Sequence, residues 1–218
     1  MNTCKRISLL LLALLLAFCF TACQPEEQEP ETPTLPDELV TLRENVTLLA
    51  HNSASALSRN SFSTAYMNML NSGEGRNYKE YANIKATLDQ MQLEYGAYQI
   101  YILTDLDDDL TSLEVTAASN TAGSAPAGEW LEPHKVDYAV TQAQLGTATG
   151  DMFARQWEDG TLTWTAYAPI YDLSGSIVAV LAVEFPSEAI ANHPTWNRMN
   201  DQWNGITEPP AEEEVPSE

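Results

Sequence analysis

The chain has 218 residues, 44% of them hydrophobic, with 31 acidic against 10 basic side chains and a net charge of −21. That length suits one domain with a sizeable core. So acidic a balance repels nucleic acid and anionic lipid headgroups, which excludes a nucleic-acid partner.

The first residues read as an export signal. Lys5 and Arg6 are positive, and Ile7 to Ala22 is almost unbroken apolar sequence, too short for a comfortable membrane span and closed by small residues. Phe20-Thr21-Ala22-Cys23 resembles the lipobox of bacterial lipoproteins, with Phe20 where Leu is usual. The resemblance implies cleavage before Cys23 and lipid on its thiol; the alternatives are an ordinary secretory signal cut near Ala22 or an uncut anchor. Cys4 and Cys19 leave with residues 1–22, so the mature chain has no disulfide framework and no thiolate for catalysis or metal. Residues 23–38 are Glu-, Pro- and Thr-rich and are expected to be a disordered acidic tether; residues 207–218 have the same character. Residues 39–206 are the expected domain.

Inside it, Asp37 can cap a helix whose apolar stripe is Leu39, Leu42, Val46, Leu49 and Leu57. The Ser- and Asn-rich stretch Ser58 to Thr64 weakens that helix, and Asn71 to Asn77 reads as a loop. Tyr78 to Tyr95 is a second helix with Tyr81, Ile84, Leu88, Met91 and Tyr95 on one face, stopped by Gly96. The period then changes. Ala97 to Leu103 and Leu113 to Ala118 read as strands flanking an acidic turn, Asp105 to Asp109. Pro133 to Leu145 is a short helix or loop insert. Asp159-Gly160 is a hairpin turn between Asp151–Glu158 and Thr161–Ile170, and Ser174-Gly175 makes the next turn. Ile177 to Phe185 is nearly continuous apolar sequence, as a central strand covered on both faces requires. Helices followed by a mostly antiparallel sheet of about five strands is an α+β layout, with the first helix lying on one face.

The stretch WEDGTLTWTAYAPIYDLSGSIVAVLAVEF resembles the end of an extracytoplasmic Cache domain, the PAS-like sensor module of chemotaxis receptors, histidine kinases and diguanylate cyclases. It shows a hairpin into a strand ending AYAPIYD, a Ser-Gly turn, and a valine-rich strand closing on an acid. Upstream, Tyr78 to Leu103 matches a short helix running into a YxIYxL strand, and Gly128-Glu129-Trp130 stands at the loop before the insert helix. The resemblance spans roughly residues 39–190. It implies a ligand pocket on the sheet face away from the long helix. Glu184 stands at the acid that contacts a ligand amine, and Trp130 near the pocket aromatic. The arginine that holds a ligand carboxylate is missing, with Arg155 on the next strand as the nearby substitute. Tyr138, Phe153 and Tyr167 are further lining candidates. Strand alternation puts Val178, Val180, Ala182 and Glu184 on one face and Ile177, Ala179, Leu181, Val183 and Phe185 on the other. Thr163, Thr165 and Tyr167 must share the Glu184 face if the site exists.

No catalytic, cofactor or metal motif is present. His51, His134 and His193 lie far apart, HExxH and GxSxG are absent, and the Asp105 run lacks the Gly and Glu of a calcium loop. The expected function is a lipid-anchored, non-enzymatic module that binds a small amine, amino acid or organic acid outside the cytoplasm, needs no cofactor, and signals through a transmembrane partner. The alternative is an envelope interaction protein that keeps the fold without binding a ligand.

Overall fold

In the computed structural model the described residues are 34–58, 61–105, 112–119, 133–157, 159–199 and 202–203. The expected signal, Cys23, residues 23–33 of the expected tether, the tail, residues 106–109 of the acidic turn, and Trp130 lie outside them; the disorder expected through residue 38 is corrected at Asp37 and Glu38, which open the first helix. Three helices come first: α1 (Asp37–Ser58), α2 (Ser61–Ser72) and α3 (Tyr81–Tyr95). Asp37 and Glu38 occupy the first turn of α1, where carboxylates favour the positive end of the helix dipole. Its buried face is Leu39, Val46, Ala50, Ser53, Ala54 and Leu57. Small residues in the middle of that face let the helix settle closely on the sheet. The chain beneath is correspondingly bare: a Cβ on Gly150 would stand 2.5 Å from Arg43 Cγ and 2.7 Å from Thr47 Oγ1. Helix α3 buries Ile84, Leu88 and Met91 and ends at Gly96, whose φ of 64° is the left-handed geometry that favours glycine.

The sheet is built from β1 (Gln99–Thr104), β2 (Ser112–Ala118), β3 (Pro133–Lys135), β4 (Thr149–Gly150), β5 (Ala154–Gln156), β6 (Leu162–Tyr171), β7 (Ile177–Pro186), β8 (Asn197–Met199) and β9 (Gln202–Trp203). The order is β3-β2-β1-β7-β6-β5-β8-β9, with β4 also pairing β6. The strands β2, β1, β7, β6 and β5 form the antiparallel centre, and α1 lies across β6 and β7 on one face. This is the α+β, PAS-like arrangement expected, with Ile177–Pro186 in the interior of the sheet. A helix α4 (Tyr138–Gln144) fills the insert after β3, capped by Asp137, whose Oδ1 accepts from Val140 N at 3.1 Å.

Three details differ from the sequence expectation. The second half of the Ser- and Asn-rich stretch, Ser61 to Thr64, opens a helix of its own, α2, because Phe62, Ser63, Tyr66 and Met69 supply a buried face. Its Tyr66 hydroxyl bonds Thr104 Oγ1 and Thr116 Oγ1, tying α2 to β1 and β2. Of the strand expected over 151–158 only β5 forms, and residues 151–153 make a break between it and β4. Val178 packs with the α1 side rather than the Glu184 side, because the β6–β7 register slips between Ile170 and Tyr171.

Two cores result. The one under α1 holds Ile100, Ile102, Trp164, Ala166, Ala168, Leu181 and Val183. Each large side chain buried there stabilises the fold by about 1.5–3 kcal/mol. The other, on the opposite sheet face, holds Tyr101, Leu103, Val115, Tyr167, Val180 and Ala182, and α4 closes it with Ala139, Val140 and Ala143.

Candidate functional site

The site follows from register. Glu184 on β7 stands directly opposite Gln99 on β1 and Thr165 on β6, so all three share the face away from α1. One pair further along, Ala182 stands between Tyr101 and Tyr167. One pair the other way, Thr163 lies between Pro186 and Arg155. The row Thr163, Thr165 and Tyr167 therefore falls on the Glu184 face.

Glu184 is wholly buried. Its Oε1 accepts from the Tyr101 hydroxyl at 3.0 Å and stands 3.8 Å from Arg155 Nη1. Its Oε2 has no hydrogen-bond partner. Gln99, 1% exposed, has no partner at either side-chain Oε1 or Nε2. Arg155 is half-exposed, and its guanidinium lies 4.0 Å from the Trp157 ring centroid, a cation–π contact. The Trp157 indole donates to Thr163 Oγ1 at 3.1 Å and its ring packs on Tyr98 at 5.3 Å.

Burial pushes the Glu184 carboxyl from its ordinary 4.5 up to about 7, against the opposing pull of Arg155, Tyr101 and Trp157, and with a further push from Asp151. The same burial holds the Tyr101 and Tyr167 phenols well above 10, so both stay neutral donors at neutral pH. Three carboxyl groups, Glu184, Asp151 and Asp137, bear on this face, with Arg155 the cation that bears on Glu184. The arrangement can hold an ammonium group by charge-assisted hydrogen bonding. It offers no nucleophile paired with a base, and no group of His, Cys, Asp or Glu able to hold a metal occurs among the described residues.

Of the residues singled out from sequence, Glu184, Arg155 and Tyr167 lie together, linked through Tyr101. Phe153 does not join them: it packs in the α1-side core, 5.6 Å from the Trp196 ring, because the break between β4 and β5 turns it away. Tyr138, at the first turn of α4, is 63% exposed. Sequence reasoning misses Gln99, Tyr101 and Trp157. The YQIY segment and the Trp157 to Gly160 turn were the available signals, but only the register brings them to Glu184. A separate groove of about 560 Å³ lies between α2 and α3, lined by Phe62, Asn68, Glu80, Asn83 and Thr87. It is open to solvent and contains no buried charge, so the Glu184 cluster is the chemically equipped site. No helix among the described residues is long and apolar enough to cross a membrane.

No protein-family model matches the chain, and no curated protein matches it. Solved structures do align with it. The sensor domain of the V. cholerae histidine kinase DctB is 14% identical, with a TM-score of 0.45, over 71% of this chain and 55% of that one. The E. coli DcuS sensor domain is 14% identical, with a TM-score of 0.44, over 72% of this chain and 97% of that one. The ligand-binding domain of the Campylobacter jejuni chemoreceptor Tlp3 in complex with L-valine is 17% identical, with a TM-score of 0.34, over 76% of this chain and 67% of that one. These structural neighbours are Cache-type sensor domains, and the likeness is one of fold. The chain spans only about half the length of the DctB domain.

Proposed function

We propose that this protein is a non-catalytic sensory module that binds a small molecule on the sheet face carrying Glu184. It does so outside the cytoplasm, anchored by lipid on Cys23, and passes the binding event to a partner protein in the membrane. The observation that carries the reading is a fully buried carboxyl group with one oxygen unpartnered, set among Gln99, Tyr101, Thr165 and Arg155. An unmatched buried polar atom costs about 1–3 kcal/mol, and a protein that keeps several of them on one face gains by filling them with a polar ligand. The excess of carboxyl groups over Arg155 favours an amine-bearing ligand. Residues 23–36 serve as the tether, and the binding domain runs from Asp37, the start of α1, to residue 206.

Ligand-induced stabilisation tests the reading. A panel of amines, amino acids and organic acids is screened by thermal unfolding of the purified protein. A ligand at 100 times its Kd adds about 2.7 kcal/mol of stability, a shift of several degrees. No stabilisation by any member leaves an envelope interaction protein without a ligand. The anchor has its own test: Cys23→Ser abolishes fatty-acid labelling and releases the protein from membranes, and full labelling of that variant defeats the lipoprotein assignment.

A further inference from the structure

Resting on the binding-site reading above, we propose that Gln99 is a second ligand-binding residue. The ligand class is then an unmethylated amine that carries a hydrogen-bond acceptor on a neighbouring carbon. Glu184 Oε1 is engaged by Tyr101 and Arg155, whereas Oε2 makes no hydrogen bond of good geometry, since the Trp157 indole that also pulls on this carboxyl donates to Thr163 Oγ1. The Gln99 carboxamide faces Glu184 directly across β1 and β7, yet neither its oxygen nor its nitrogen is engaged. Directly opposed side chains on adjacent strands start about 4.5–5.5 Å apart at Cβ, so one small group can reach both.

The unspent capacity is two acceptor oxygens and one amide nitrogen with two N–H donors. Exchanging the oxygen and nitrogen of Gln99 leaves that count unchanged. An ammonium group has three N–H donors and satisfies Glu184 Oε2 and Gln99 Oε1 together. A hydroxyl, amide or carboxylate oxygen on the adjacent carbon then accepts from Gln99 Nε2. A quaternary ammonium has no N–H and leaves both acceptors unmatched. A dicarboxylate brings no donor and sets like charge against Glu184. Gln99 thus sorts amines by their N–H count, a task that the charge of Glu184 alone cannot perform.

The test uses the detergent-solubilised full chain at pH 8, with thermal unfolding and calorimetric titration against ethanolamine, glycine amide, L-alanine, choline and succinate. Choline is the trimethyl counterpart of ethanolamine, so that pair probes the N–H requirement without any substitution. At least one of the first three is expected to bind, and choline and succinate are expected not to. Gln99→Met weakens the bound amine by about tenfold, the loss of one or two hydrogen bonds. Its empty form unfolds at the same temperature or higher, because an unmatched amide has gone. Choline binding as tightly as ethanolamine, or Gln99→Met leaving affinity intact while Glu184→Gln lowers it, overturns the role of Gln99 and leaves the site reading standing. If no probe binds, or if Glu184→Gln changes nothing, both fall.

Discussion

Replacing Glu184 with Gln removes one titrating group from the interior and keeps its shape, so it isolates the cost of burying that charge. The Glu184 carboxyl sits at about 7 when folded against an ordinary 4.5. Each pH unit of separation is worth about 1.4 kcal/mol, which gives about 3 kcal/mol in all. The sign follows from the direction. A carboxyl raised on folding contributes stability that is fully present below pH 4.5 and lost as pH rises through about 7. The empty wild-type protein therefore loses about 3 kcal/mol from this group between pH 4.5 and pH 8, and the Gln variant does not. Urea unfolding of both proteins at half-unit steps over that range gives the difference curve. It should tilt by about 3 kcal/mol in favour of Glu184→Gln at the alkaline end. A flat difference curve would show that Glu184 is solvated or paired in solution and would refute the buried-carboxyl account.

Other expectations follow from the same contacts. An ammonium ligand that needs ionised Glu184 binds more tightly as pH rises, by close to tenfold per unit below about 7 and level above it; calorimetry at pH 5.5, 6.5 and 8 checks this. Gly150→Ala drives a Cβ into Arg43 and Thr47 and should cost about 1–3 kcal/mol. Adding Arg43→Ala should recover part of that loss in a double-mutant cycle of denaturant midpoints. Tyr66→Phe removes the hydroxyl that joins α2 to Thr104 and Thr116 and should lower stability by about 1–2 kcal/mol in the same assay.

The fold was legible where local chemistry and final packing agree. Ile177 to Phe185 announces a central strand because both its faces are apolar, and Asp159-Gly160 and Ser174-Gly175 announce turns because few other dipeptides accept that geometry. In the second turn Asp172 Oδ1 accepts from Ser174 N at 2.8 Å and Ser176 N at 2.9 Å. Helix α2 was less legible, since its buried face is only Phe62, Ser63, Tyr66 and Met69 among Ser, Thr and Asn that favour turns. The site was half legible. Glu184 stands out as an acid closing an apolar strand. Gln99 does not, because a polar residue inside a strand has no meaning until the pairing is known, and the partner lies 85 positions away in sequence. Phe153 shows the converse: alternation through Asp151–Glu158 assumes an unbroken strand, and the break between β4 and β5 sends the ring to the other core. Likewise, the slip opposite Tyr171 moves Val178 and could not be read from β7 alone.

Amide chemical-shift mapping with a stabilising amine tests the central claim most directly, since the Glu184 cluster and the groove between α2 and α3 share no residue. Shifts centred on Gln99, Tyr101, Thr165 and Glu184, lost in Glu184→Gln, are the predicted result; shifts confined to the groove between Ser61 and Thr87 would contradict it.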